Sequence, residues 1–154
     1  MYTKQHASQL RHQFWTRVGQ YMAPVPSAEG KKINWINYKT DQKHIDIKLN
    51  ADQHAAIIGL EISHPLAAEQ QKMMQVLQMH RSKLPLVPGS RWEWRLPEKN
   101  TYNNKVPGIF ASLLPINMFD EADWPTLISF FKTHLLALDV FWSNARYALE
   151  MMEE

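Results

Sequence analysis

The chain has 154 residues, of which 45% are hydrophobic and 21% are charged, and its formal net charge is +2. This length predicts a single domain, residues 1–154, whose core is large enough to be stable without disulfides or a structural metal. The absence of cysteine excludes disulfide frameworks, thiolate nucleophiles, iron–sulfur clusters and cysteine-type zinc sites. The first residues lack the apolar stretch of a secretory signal, and no apolar run approaches the ~20 residues of a membrane span. We therefore expect a cytoplasmic protein with no membrane partner.

Charge is distributed unevenly along the chain. Residues 1–99 hold 14 Lys and Arg against 8 Asp and Glu, whereas residues 100–154 hold 3 against 7. A basic first part and an acidic second part could attract a polyanion or pair two subunits. The longest basic run is Lys31-Lys32, so nucleic acid is allowed as a partner but is not indicated.

The first half of the chain predicts one helix and three strands. Helical spacing of apolar residues begins after Thr3 and ends before Pro24. Residues 33–38 are rich in β-formers, and residues 44–50 alternate strictly between apolar and polar side chains, which is typical of a half-buried strand. Residues 55–62 are apolar at most positions, which predicts a central strand covered by helices on both faces.

The second half predicts a helix, two strands and a long final helix. The spacing predicts a helix that begins around Pro65 and ends at about Leu84. The alternation of residues 91–96 predicts a strand. After a polar loop at 98–105, residues 109–114 predict the fifth strand. The element order is therefore α-β-β-β-α-β-β-α, an α/β (α+β) fold with a mixed five-stranded sheet covered by helices.

The final helix, predicted over about residues 121–152, has the strongest periodicity in the chain. Its apolar residues recur at alternating steps of four and three, which forms a heptad seam. A straight helix of this length would span ~48 Å, more than the ~38 Å diameter of a compact domain of this size. We therefore predict a homodimer in which the seam packs on a second subunit. The alternative is a bent helix that wraps the core of one monomer. The predicted interface anchors are Trp124, Phe131, Leu135, Leu138 and Trp142.

Several stretches of the sequence together resemble one known family. They are Phe14-Trp15-Thr16, Ser27-Ala28-Glu29-Gly30, Asn34-Trp35-Ile36-Asn37-Tyr38-Lys39, Gly59-Leu60-Glu61-Ile62-Ser63-His64, Asp123-Trp124-Pro125 and Leu138-Asp139-Val140-Phe141-Trp142. Over nearly the whole chain this set resembles the bacterial family named domain of unknown function 4268. The resemblance implies a small cytoplasmic protein that occurs alone or as the C-terminal part of larger proteins, some of which carry a nuclease-like domain upstream. It implies no established activity and no catalytic residue.

The order αβββαβ is similar to the core of the PD-(D/E)XK nucleases, which provides the best enzymatic analogy. In that superfamily an acid on the second strand and an acid-x-Lys on the third bind Mg²⁺. The matching positions here are Asp46 and Glu61, but Ser63 stands where the lysine belongs, and Lys48 or Lys72 would have to replace it. A carboxylate in an apolar strand needs a cation, a donor or a raised pKa. Glu61 could therefore equally be bonded to a neighbouring donor and have a purely structural role.

Other candidate sites have weaker signals. His44, His54 and His64 lack the spacing of a zinc site, and no GxSxG, Walker or dinucleotide-binding motif occurs. Trp92 and Trp94 alternate with charged residues, as in a platform that stacks single-stranded nucleic acid. The same pattern is typical of an ordinary half-buried strand.

We interpret the sequence as that of a non-enzymatic, homodimeric interaction domain that needs no cofactor. The first alternative is a divergent or inactive metal-dependent nuclease, with Asp46 and Glu61 as ligands of Mg²⁺ or Mn²⁺ and Lys48 as a further catalytic candidate. The second alternative is a nucleic-acid-binding module that uses the basic residues 1–99.

Overall fold

The described part of the chain, residues 3–97 and 106–152 of a computed structural model, contains three α-helices, four strands and two short 3₁₀ helices. The order of the α-helices and strands, α-β-β-α-β-β-α, confirms the predicted α+β class and the long C-terminal helix. The predicted loop at 98–105 lies outside the described residues. The helices are α1 (Lys4–Met22), α2 (Ala67–Met79) and α3 (Trp124–Met152), and the strands are β1 (Ile45–Ala51), β2 (Ala56–Ile62), β3 (Glu93–Arg95) and β4 (Gly108–Leu113).

The four strands form one antiparallel sheet in the order β1-β2-β4-β3. The prediction of a mixed, five-stranded sheet is therefore wrong for the described residues. A four-residue loop joins β1 to β2, and in it the Asp52 carboxylate accepts hydrogen bonds from the N–H groups of His54 (2.7 Å) and Ala55 (2.9 Å). Because β2 also pairs with β4, these two strands are the central pair of the sheet.

The strand predicted over residues 33–38 is absent because side chains there bond to the local backbone. Asn34 Oδ1 accepts hydrogen bonds from the N–H groups of Ile36 and Asn37, both at 3.1 Å, which folds the segment into turns. Trp35 is 2% exposed, and its indole N–H donates to a backbone carbonyl at 2.9 Å. The β-forming side chains of this segment therefore pack on the core without joining the sheet.

The helices cover one face of the sheet. Helices α2 and α3 contact each other and also β2, and no helix of the described residues lies on the opposite, open face. The predicted cover on both faces of β2 is therefore wrong. The apolar run in β2 has another cause. On the open face Gly59 has no side chain, and the ring of Phe110 on β4 occupies the space that a side chain there would need. The β2 side chains that face the helices are at most 1% exposed and are Ala56, Ile58, Leu60 and Ile62.

Helix α3 is unbroken over 29 residues, about 44 Å, and its seam is buried within the same chain. Helix α1 packs against its first half, where the ring centroids of Phe14 and Trp124 lie 5.5 Å apart. Residues 23–44 cover its second half, where the indole N–H of Trp142 donates to the Thr40 carbonyl at 3.2 Å. The length of α3 therefore requires no second subunit, because the segment between α1 and β1 supplies the covering surface.

Candidate functional site

Three charged side chains of the predicted metal site lie together on the open face of the sheet. Asp46 on β1 stands opposite Glu61 on β2 in the antiparallel register. The Lys48 ammonium lies 3.6 Å from a carboxylate oxygen of Glu61, whose side chain is 20% exposed. The period-two alternation of β1 and the hairpin register place all three on one face. We name these three residues the Glu61 cluster.

The Glu61 cluster is short of the donors that a metal centre needs. Mg²⁺ prefers octahedral coordination by oxygen, whereas no group of three or more His, Asp or Glu side chains suited to a metal occurs among residues 3–97 and 106–152. Lys48 already supplies the cation that a half-buried carboxylate requires. Lys72, the other proposed substitute, is paired with Glu69 on its own helix at 3.4 Å. Catalytic and metal-binding roles for the cluster stay predictions.

The nuclease analogy depends on an element order that differs from the observed one. Two described strands, not three, separate α1 from α2, and they are antiparallel to each other. Asp46 and Glu61 therefore lie on the first and second strands of the sheet instead of the second and third. The described fold consequently adds no support to the analogy.

We predict that neutralising Glu61 changes stability only slightly. A partly exposed ion pair contributes about 1 kcal/mol or less, so Glu61→Gln should unfold in urea within about 1 kcal/mol of the wild type. Glu69→Gln, which removes the surface pair with Lys72, is the matched control. Millimolar Mn²⁺ should leave the melting temperatures unchanged. A Mn²⁺-induced rise that is lost in Glu61→Gln would instead establish a metal site.

The five predicted interface anchors belong to the core of the single chain. A side chain without exposed surface cannot contact a second copy while the chain stays folded, so the interface assigned to these residues is corrected. Their heptad spacing identifies the stripe of α3 that α1 and residues 23–44 cover. The five side chains, each at most 1% exposed, are Trp124, Phe131, Leu135, Leu138 and Trp142.

A different face of α3 carries three exposed apolar side chains beside the half-buried Leu136 and Ser143. Its residues recur at steps of four, three, four and four along the helix, and three of them are 38% (Val140), 52% (Tyr147) and 73% (Met151) exposed. Contiguous exposed apolar surface is typical of sites of protein–protein contact. We name this face the α3 stripe, which consists of Leu136, Val140, Ser143, Tyr147 and Met151.

A pocket of about 450 Å³ lies between α3 and residues 27–41. One of its lining residues is Asp139 of α3, which is 4% exposed. The Asp139 carboxylate accepts hydrogen bonds from the Tyr38 hydroxyl at 2.5 Å and from the Ala28 N–H at 2.6 Å. Burial, and then the hydrogen bond to Asp139, raise the pKa of Tyr38 above its usual range, so Tyr38 keeps the proton that it donates. We name this feature the Asp139 pocket.

Basic side chains also line the Asp139 pocket. Lys31, Lys32 and Lys39 are exposed there and form no ion pair with the described residues. We name these three lysines the basic rim. Arg146 of α3 lies 3.5 Å from a carboxylate oxygen of Glu29, and its buried Nε has no hydrogen-bond partner among the described residues. Glu29 and Asp139 are therefore engaged, whereas the exposed Asp41 and the lysines of the rim form no ion pair with the described residues.

A family model matches most of the chain and decides its classification. The model of domain of unknown function 4268 (DUF4268) matches residues 10–146. The chain belongs to this family. The DUF4268 match confirms the resemblance seen in the sequence and includes the Glu61 cluster and the Asp139 pocket, whereas Tyr147 and Met151 of the α3 stripe lie beyond its end. No curated protein and no solved structure matches this DUF4268 chain.

Within residues 3–97 and 106–152 of the DUF4268 chain, no helix is both long and apolar enough to cross a bilayer.

Proposed function

We propose that this domain is a cytoplasmic interaction domain that forms a homodimer through the α3 stripe. The observation that supports the proposal is the exposure of Val140, Tyr147 and Met151 along one face of a helix whose seam is buried. Removing apolar surface from water is favourable by roughly 25 cal/mol per Å². A second copy of the chain is the proposed occupant, because it presents a stripe of the same length and composition.

The order of residues in the α3 stripe fits an antiparallel pair of helices. About a two-fold axis beside Ser143, Val140 faces Tyr147 of the second copy, and Leu136 faces its Met151. Each contact then occurs twice, as the symmetry of an isologous interface requires.

The centre of the proposed pair carries small side chains that bond to their own helix. The Ser143 hydroxyl and the Asn144 amide each donate to the Val140 carbonyl at 2.8 Å, so covering them leaves few polar groups without a partner. The area that a single pair of helices buries is smaller than the ~800 Å² per partner of a standard interface. We therefore expect a dissociation constant on the order of 10 µM.

Light scattering after size-exclusion chromatography tests the homodimer. Between about 5 and about 200 µM, a range that brackets the expected dissociation constant, the mass should rise from 18.0 kDa towards twice that value. Val140→Glu and Tyr147→Glu should keep the protein at the monomer mass, because symmetry places two like charges at the interface. Met79→Glu is the matched control, since Met79 is 80% exposed on α2, outside the stripe. A monomer at the highest concentration, or a dimer that survives both stripe variants, would disprove the proposal.

A cross-link tests the antiparallel arrangement. The chain has no cysteine, so Ser143→Cys introduces a single thiol beside the proposed axis. A short bismaleimide should link two copies of Ser143→Cys but not two copies of Ser129→Cys, whose thiols would lie about 40 Å apart in the antiparallel pair. Cross-linking of both variants would indicate a parallel pair.

A second candidate function is the binding of nucleic acid at the basic rim of the Asp139 pocket. It is favoured by the three rim lysines, which have no ion-pair partner among the described residues. Contacts between lysines and phosphates release counterions, so the affinity should fall steeply with salt. Gel retardation of DNA and RNA at low salt tests this function, with Lys31→Glu/Lys32→Glu as the disruptive variant and Lys72→Glu as the control. No retardation at low salt would exclude it.

A further inference from the structure

Ser90 and His134 form a hydrogen-bonded pair outside the surfaces described above. Ser90 Oγ lies 2.7 Å from Nε2 of His134. The other ring nitrogen, Nδ1, lies 2.7 Å from the carbonyl oxygen of Phe130, one turn earlier on α3. Because a carbonyl can only accept, Nδ1 carries the proton of the neutral ring, and Nε2 accepts the hydroxyl proton of Ser90. This is the arrangement of a nucleophile and its general base, with a backbone carbonyl orienting the base.

The surroundings keep His134 uncharged. It is 2% exposed, and the rings of Phe130 and Trp92 lie 4.4 and 5.1 Å from its ring centre. Burial lowers the pKa of His134 below its usual value, because the charged form loses hydration. The imidazole is therefore available as a base at neutral pH.

A tight turn positions the Ser90 hydroxyl. The N–H of Ser90 donates to the Val87 carbonyl at 3.0 Å, and Gly89 has a φ of +78°. With Pro88 at the first corner, these are the features of a type II turn, in which glycine supplies the positive φ. The turn holds Ser90 against α3, where it meets His134.

Ser90 lines two cavities of different chemistry. The larger has a volume of about 560 Å³, and its wall is largely apolar, with Leu113, Pro125 and Phe130 among its residues. The other has a volume of about 450 Å³ and contains Arg81 and Arg91. A substrate that spans both would place its reacting centre at Ser90, an apolar group on one side and a polar or anionic group on the other.

We propose that Ser90 and His134 are the nucleophile and the general base of a site that hydrolyses carboxylic esters with an apolar acyl group. The acyl group lies in the larger cavity, and the alcohol part extends towards Arg81 and Arg91. This activity goes beyond the interaction function proposed above and does not depend on the α3 stripe.

The proposed reaction has two stages. Ser90 Oγ attacks the carbonyl carbon while its proton moves to Nε2 of His134, and the bond to the alcohol oxygen breaks as the imidazolium returns that proton to it. Water then attacks the acyl–serine ester with His134 again as base, which releases the carboxylic acid and restores the serine.

Covalent labelling with a fluorophosphonate tests the proposal. The serine oxygen displaces fluoride, so the wild type should gain one phosphonyl group, which peptide mass spectrometry should place on Ser90. Ser90→Ala should abolish the adduct, and His134→Gln should slow labelling by about 100-fold or more. Ser63→Ala, at an exposed serine elsewhere, should react like the wild type. 4-Nitrophenyl butyrate should release a burst of about one nitrophenol per chain from the wild type but not from Ser90→Ala, as covalent catalysis requires.

A purely structural role for the pair predicts a different outcome. If the hydrogen bond only holds the turn against α3, its removal lowers the stability of the protein. The wild type then forms no adduct and gives no burst. If circular dichroism shows that His134→Gln does not fold, the comparison of the wild type with Ser90→Ala still decides, because Ser90 is half-buried and alanine is smaller. An unlabelled wild type, an adduct on another residue, or equal hydrolysis by the wild type and Ser90→Ala would overturn the proposal.

Discussion

Replacing Gly108 with alanine is expected to destabilise the protein by about 3 kcal/mol or more. A Cβ atom at this position would lie 2.1 Å from the carbonyl oxygen of Leu60 and 3.2 Å from the Cα of Glu61, which are backbone atoms of the neighbouring strand β2. Backbone atoms cannot rotate away as the end of a side chain can, and the φ of Gly108 is +156°, which other residues rarely adopt. Because β2 and β4 are the central pair of the sheet, relieving the contact would separate them.

Urea unfolding measures this effect, with two other glycines as matched controls. Gly19→Ala in α1 would place its Cβ 3.5 Å from Ile36, an ordinary contact, so the better helix former should stabilise the protein by about 0.5–1 kcal/mol. Gly89 has a φ of +78° but open space around it, so Gly89→Ala should cost only the backbone strain of about 1–2 kcal/mol. A Gly108→Ala variant as stable as the wild type would show that the two strands are not in such close contact.

Periodicity correctly predicts the elements of this fold where a single apolar spacing continues along the whole segment. The apolar spacing of α1 and α3 and the strict alternation of residues 44–50 identify elements that the structure contains. The strand predicted over residues 33–38 fails because β-propensity describes how side chains fit a pleated surface. In this segment Asn34 bonds to the backbone two and three residues ahead, and this local bond favours turns.

The heptad seam of α3 illustrates what spacing cannot specify. It correctly marks the side of the helix that is buried, since Phe131, Leu135 and Leu138 are all 0% exposed. It contains no information about which molecule provides the covering surface. That surface comes from residues far away in the sequence, such as Thr40, whose carbonyl accepts from Trp142 across 102 positions.

The Glu61 cluster and the Asp139 pocket also differ in how far the sequence could suggest them. The proximity of Asp46, Lys48 and Glu61 follows from a short hairpin whose register the apolar pattern defines, so the sequence could suggest it. The bond between Tyr38 and Asp139 joins residues 101 positions apart and depends on how the whole core packs. The available signal was Asp139 itself, a lone acid in a long apolar stretch of α3, because a buried carboxylate requires a partner.

Removing the Asp139 carboxylate is expected to lower the free energy of unfolding by about 3 kcal/mol. Asp139→Ala leaves the Tyr38 hydroxyl and the Ala28 N–H without their acceptor, and each buried donor without a partner costs about 1–3 kcal/mol. The same change removes two of the hydrogen bonds between residues 27–41 and α3, so the Asp139 pocket should lose part of its shape as well. Asp139→Asn should cost less, about 1 kcal/mol. Its amide oxygen can still accept from the Ala28 N–H, and its amide NH₂ can donate to the hydroxyl oxygen of Tyr38.

A double-mutant cycle with Tyr38→Phe separates the hydrogen bond from the rest of the packing. Tyr38→Phe alone should cost about 1–2 kcal/mol, and the cost of both changes together should fall short of the sum by about 1 kcal/mol or more, since either change removes the same bond. Tyr147→Phe is the matched control, because the Tyr147 hydroxyl lies 3.4 Å from Glu29 and the residue is 52% exposed, so its loss should cost less than about 0.5 kcal/mol. Fully additive costs in urea unfolding would show that Tyr38 and Asp139 share no bond in solution. The Ala28 N–H would then be the remaining partner of the Asp139 carboxylate, and the Trp142–Thr40 hydrogen bond would still join residues 27–41 to α3.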